Sequence, residues 1–204
     1  MRMTPILIVA CLGFLASAAV AAPREDAKLA DFAQRMFATK PFKHKVSACF
    51  VRTYDDAHLA RHQGQTVTAM KMLVAAEKLA EDGELSYSYD IGVTFRDRKG
   101  DYISNYDCGH ARLSDGPRGH AEVSCHDGCE EGGVTIALAP DKKAITVKVL
   151  DVGLSPADRP RDQNAWFSFH GGPEDRVFRL DRVDMENCKS LMEHGDEVAA
   201  AEPE

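Results

Sequence analysis

Residues 85–96 alternate without a break: Leu85, Tyr87, Tyr89, Ile91, Val93 and Phe95 are apolar or aromatic, with Ser86, Ser88, Asp90, Gly92, Thr94 and Arg96 between them. A period of two sustained over six apolar positions predicts a half-buried β-strand. The segment that follows can be tested against it, because opposed residues of an antiparallel hairpin keep a constant sum of residue numbers and share a face. Closing the turn at Asp97-Arg98-Lys99-Gly100 pairs Arg96 with Asp101, and sets Phe95 against Tyr102, Ile91 against Tyr106 and Tyr89 against Cys108. A turn at Pro140-Asp141-Lys142-Lys143 likewise sets Leu138 against Ile145, Ile136 against Val147 and Val134 against Val149. Between the two hairpins stand a turn signal, Asp115-Gly116-Pro117-Arg118-Gly119, and a strand over about 120–126 with Ala121, Val123 and Cys125 on one face. Five strands then form a meander over about 85–152.

Outside the meander the period changes. Leu29, Phe32, Ala33, Met36 and Phe37 recur at three- and four-residue steps, which predicts a short amphipathic helix over about 26–39, ended by Pro41. Val46, Ala48 and Phe50 mark a strand at about 45–54. Residues 66–74 read as a second strand or as a helix running to 82. Residues 155–164, with Pro156 and Pro160, read as a surface loop, while 166–170 and 176–183 read as closing strands around a Gly171-Gly172-Pro173 turn. Residues 194–204 read as a disordered tail.

Eight or nine short antiparallel strands must resolve two exposed edges, and a continuous meander does so by closing into an up-and-down barrel, with a β-sandwich as the alternative. The expectation is therefore a mainly β domain over 23–193, its helix at one end. In strand organisation alone it looks like the lipocalin-type barrels and the small periplasmic inhibitor barrels. No diagnostic residues carry that likeness, so it implies a lipocalin-like barrel and no family.

The first 22 residues lie outside that domain. Arg2 precedes a run without charge over 6–19, and Ala19-Val20-Ala21-Ala22 offers small residues for cleavage, the pattern of a secretory signal. The run is too short and too rich in small residues for a retained anchor. Ile8-Val9-Ala10-Cys11 matches a lipoprotein cleavage site, but the apolar stretch before Cys11 is short and continues past it. The expected location is periplasmic or secreted, and no Asn-x-Ser/Thr triplet occurs to favour a glycosylating route. Removing residues 1–22 takes away one arginine and no acid, leaving 24 basic against 32 acidic residues, a net of −8. That balance argues against nucleic acid and against an anionic membrane surface.

Export changes the reading of the cysteines. Cys49, Cys108, Cys125, Cys129 and Cys188 remain after cleavage, an odd number in a compartment that permits disulfides. Cys108 and Cys125 fall opposite one another if the chain turns between Gly116 and Pro117, with Cys129 as the rival partner of Cys108. Cys49 and Cys188, from the two ends of the domain, would fasten it closed. The leftover thiol leaves the chain a monomer or a disulfide-linked dimer. The alternative is a metal-binding protein or metalloenzyme, because Cys108, His110, His120, Cys125, His126 and Cys129 gather borderline and soft ligands within 22 residues. Their spacing matches no zinc pattern.

Catalytic chemistry is not legible. There is no nucleophile elbow, Gly132-Gly133 and Gly171-Gly172 sit at β turns, and the carboxylate pairs Asp55-Asp56 and Glu130-Glu131 fall on loops. His58 and His62, four apart, would share a face of a helical turn, without the intervening glutamate of a zinc protease. No cofactor is implied. One feature points to a site: Tyr87, Tyr89, Tyr102, Tyr106 and Phe95 share the inward face, where such a row lines a ligand cavity or packs a core. Arg96, Arg98 and Lys99 at the adjoining turn could meet an anion. The leading expectation is an exported, non-catalytic β domain that binds a small ligand or an envelope or extracellular protein.

Overall fold

The computed structural model describes residues 25–38, 44–78, 85–108, 112–115, 121–125, 132–162 and 164–193. The expected signal peptide, the turn at 116–119, Pro41 and the tail at 194–204 lie outside them. Helix α1 (Glu25–Phe37) buries Phe32, Ala33 and Met36 and exposes Lys28 and Asp31, as its periodicity requires. It ends at Ala38, whose left-handed backbone (φ 54°) turns the chain away. A six-residue helix, α2 (Asp56–Arg61), follows strand β1 (Val46–Thr53), its N-terminus capped by Asp55, which accepts from the His58 amide at 2.7 Å.

The ambiguous stretch after residue 66 is a strand, β2 (Val67–Lys78). Methionine, alanine and lysine favour a helix there, but the segment is hydrogen-bonded along its length to β1 on one side and to β3 (Leu85–Phe95) on the other. Pairing on two edges overrides local propensity. The period was faint because Val74, Ala75 and Ala76 are all buried.

Strand β4 (Asp101–Cys108) pairs with β3 two residues away from the expected register. The ladder ends at Thr94 and Asp101, so Tyr89 faces Tyr106, Val93 faces Tyr102 and Tyr87 faces Cys108. The expected pairs of Phe95 with Tyr102 and Ile91 with Tyr106 assumed too tight a turn. An even slip keeps every side chain on its face, so the apolar row survives. The hairpin of β7 (Gly133–Leu138) and β8 (Ala144–Pro156) has the register its sequence predicts, Leu138 with Ile145, Ile136 with Val147 and Val134 with Val149.

The five-strand meander is not continuous. Among the described residues β5 (Arg112–Asp115) has no ladder with β4 and pairs with β6 (Ala121–Cys125), Leu113 opposite Val123. With β9 (Phe167–Phe169) and β10 (Val177–Val183), the described residues form ten strands in antiparallel pairings, ordered β10-β1-β2-β3-β4-β8-β7-β6-β5, with β9 on β8. Because β8 also pairs with β10, six strands close a ring, β10-β1-β2-β3-β4-β8. The expected up-and-down, lipocalin-like barrel is thereby corrected. Its strands would follow chain order around the closure, whereas β4 skips to β8 and β5-β6-β7 hang from the ring as an arm. The sandwich alternative fails as well, since the strands form one connected sheet.

β8 makes this branching possible. One edge carries β7 and then β4, while the other carries β10 and then β9. Its inward residues are Ile145, Val147 and Val149 before an irregularity in the pairing with β7, and Val152 and Leu154 after it. The extra residue reverses the alternation and bends the strand. The ladder of β4 with β8 holds two residue pairs, Tyr102 with Pro156 and Ile103 with Ser155, extended by the Ala157 amide donating to the Asp101 carbonyl at 2.8 Å. The ring therefore has a short seam.

Phe50, Met70, Met72, Ile91, Phe178 and Leu180 fill the ring, and Phe32 of α1 meets Tyr87 edge-on at 6.2 Å. A smaller apolar cluster lies outside it. There Cys49, Leu73, Cys188 and Leu191 pack where a 3-10 turn (Met185–Cys188) and the helical residues 189–193 cover the outer face of β1 and β2. Both disulfides join the expected cysteines, but neither does the expected job. Cys49–Cys188 ties the C-terminal turn to β1, and the ring closes through the β1–β10 ladder. Cys108–Cys125 links β4 to β6, two strands with no ladder between them.

Candidate functional site

The seam between β4 and β8 opens outward into a groove of about 250 Å³. Beyond Ile103 and Ser155 the two strands part, and the Gly153 amide donates instead to the Tyr106 hydroxyl at 3.3 Å. Gly153 points outward, and Trp166 sits directly on it. A Cβ there would run into the indole Nε1 and lie 2.7 Å from Cε2, so only glycine lets the ring approach the strand. Gly92, outward on β3, faces Leu191 less tightly, with 3.2 Å between a Cβ and Cδ2. Trp166 and Leu191 thus wall the groove, with Asp90, Asn105 and Ser155 among the polar groups lining it. Trp166 is the chain's single tryptophan and is 55% exposed. Two further depressions adjoin this one, one shared through Ser155, Pro160 and Trp166 and reaching Arg161, the other shared through Ile103 and Leu191 and reaching Lys71 and Asp101.

The aromatic row divides. Tyr87 and Tyr89 are each 1% exposed and Phe95 5%, so three of the five candidates are core residues. Tyr87 donates to the Leu29 carbonyl at 2.7 Å, joining α1 to β3, and burial holds its phenol well above the usual value of 10.0. Tyr89 stacks on Tyr106 at 5.4 Å. Tyr102 packs edge-on against Phe95 and Phe167. Tyr106 reaches the seam groove, and Phe95 lines a second pocket, about 240 Å³, at the mouth of the ring with Thr66, Asp97, Phe169 and His170. At that mouth Arg98 lies over the Phe167 ring at 3.9 Å, which engages the cation that the turn offered to an anion. Arg96 donates to the His62 carbonyl.

The metal alternative loses two thiolates, since Cys108 and Cys125 are bonded to each other. His110, His120, His126 and Cys129 lie outside the described residues. Among the described residues, no group of three or more His, Cys, Asp or Glu side chains could hold a metal ion. His58 and His62 stack at 4.3 Å instead of converging on a point, His58 sharing a hydrogen bond with Gln65 and His62 facing Glu174 at 3.8 Å. The Tyr54 ring lies tilted against His58 at 4.6 Å, its phenol raised by burial, with Arg52 pulling it down and Asp175 pushing it up.

Two arrangements escape the sequence. Asp151 of β8 meets Ser168 and His170 across the β8–β9 ladder, accepting from the Ser168 hydroxyl and pairing with His170 at 3.3 Å. A nucleophile relay places serine on the imidazole. Here both partners go to the carboxylate, which braces β9. The groove itself also went unread, because Trp166 counts in sequence merely as the start of a strand. The signal that could have found it is the outward Gly153, set between Val152 and Leu154.

No protein-family model matches the chain, and the searches of curated proteins and of solved structures found no match either.

Proposed function

We propose that this chain is an exported, non-catalytic domain that binds its ligand in the seam groove, taking a small molecule or a segment of an envelope or extracellular partner. One observation carries the reading: the only tryptophan stands half out of the protein, backed by a glycine that makes room for it, over a groove lined by both apolar and polar groups. An occupant that covers the indole removes apolar surface from water, which favours its binding. The signal-like pattern of residues 1–22 and the two disulfides support a periplasmic or secreted address. Among the described residues no helix is long and apolar enough to cross a membrane. With both pairs formed and residues 1–22 removed, Cys129 is the one cysteine left over, free or linking two chains.

A fragment screen followed by the single indole N–H signal in a ¹⁵N-labelled spectrum tests the reading. Hits are expected to move the Trp166 signal together with the Asn105 side-chain amide. A screen in which no fragment moves either signal overturns it.

A further inference from the structure

We propose that the seam groove takes a neutral oligosaccharide, one pyranose ring packed against Trp166 and its hydroxyls meeting Asp90, Asn105 and Ser155. The proposal rests on the reading of this groove as a binding site and names the chemistry of its occupant. Three observations select it.

The first is the pairing of surfaces. A sugar ring has an apolar face of C–H groups and a polar rim of hydroxyls, so it is matched by an exposed aromatic plane beside side chains that donate and accept. Trp166 gives a half-exposed aromatic ring, a carboxylate, an amide and a serine hydroxyl give the partners, and all line one depression. The second is size and shape. About 250 Å³ lies just below the roughly 300–1,000 Å³ of pockets that engulf a drug-sized ligand. That is room for one ring, and the rest of a chain would pass into the adjoining depression of about 570 Å³ that shares Ser155, Pro160 and Trp166, the one of about 70 Å³ beside Leu191 being too small for a second ring. The third is charge. Asp90 and Asp101 stand against Lys71 and Arg161 along the three depressions, an even balance that favours an uncharged ligand over a polyanion. A peptide added as a strand would need the open edge of β8 at the seam. The Gly153 amide at that edge is already engaged by Tyr106.

The test titrates the full mature chain, disulfides intact, with cellotetraose, chitotetraose and maltotetraose, using trialanine as the peptide control. At least one tetrasaccharide is expected to bind with a Kd of about 1 mM or tighter and to shift the Trp166 indole signal. By calorimetry, Trp166→Ala is expected to weaken that binding about tenfold, with Trp166→Phe between, because aromatic stacking supplies energy of that order. Asn105→Ala should weaken it several-fold, and Val177→Ala, an exposed change on β10, should leave it unchanged. Absence of any shift up to about 10 mM of all three sugars overturns the proposal. Binding that is undiminished in both Trp166→Ala and Asn105→Ala overturns it too, as does a response to trialanine and not to sugar. If fragments still move the indole signal while no sugar does, the groove stands and the sugar falls. If neither moves it, both readings fall.

Discussion

Asp175 joins segments 109 residues apart: its carboxylate accepts from the Thr66 amide and hydroxyl, both at 2.7 Å, and from the Val67 amide at 3.2 Å, while being only 1% exposed. It fixes the loop before β10 to the entry of β2. Asp175→Ala leaves those donors unpaired, and the expected loss is about 2–3 kcal/mol in urea unfolding, with Asp175→Asn recovering part. Nothing in the sequence distinguishes this aspartate from its solvated neighbours, because its importance comes from donors in a distant segment. Tyr87 is the opposite case, legible as inward from alternation alone. Its phenol titrates higher in the folded protein than in the unfolded chain, so the unfolded chain loses its proton first as the pH rises. The stabilisation is complete below about pH 10 and is lost above it. Between pH 9 and 11.5 the urea midpoint of Tyr87→Phe should start lower, for want of the bond to Leu29, and then fall less steeply than that of the parent.

At the scale of elements, what the alternation reveals is the face a residue occupies, and it reveals this well where one face is dry and the other wet. The β7–β8 hairpin has its expected register because three aliphatic pairs and a short turn agree. In β3 and β4 the face is correct and the register is displaced by two, since period-two sequence is indifferent to an even slip. The arm is harder still: nothing in the pattern says that β4 turns from β5 to β8, because strand neighbours depend on where β8 bends. Disulfide pairing was legible because it needs only the right cysteines, whereas its role depended on the faces. Cys49 points out of the ring, so the double change Cys49→Ser and Cys188→Ser should release the C-terminal turn and leave the β1–β10 ladder in place. We expect a loss of about 2–4 kcal/mol with far-ultraviolet dichroism little changed. Faster hydrogen exchange confined to residues 185–193 would confirm that division, and exchange opening along β1 and β10 would refute it.

For the whole molecule, the architecture is a six-strand ring plugged at one end by α1, with a three-strand arm on β8 and a seam too short to close the wall fully. The sequence led to a mainly antiparallel β domain and to an aromatic interior. It did not lead to the groove, which is assembled from β3, β4, β8 and two segments that carry Trp166 and Leu191. A site made where non-consecutive strands part has no footprint in any one stretch of chain. Its placement also sets how the protein will look to light. The one indole is already half in water in the folded state, and the tyrosines that unfolding would uncover are weaker emitters. Excited at 295 nm, the protein should therefore show only a small red shift on denaturation, and a blue shift when the groove is filled. A large red shift on unfolding would mean that Trp166 is buried in solution. Emission colour would then report occupancy and near-ultraviolet dichroism would report folding, so the two equilibria can be followed separately in one cuvette.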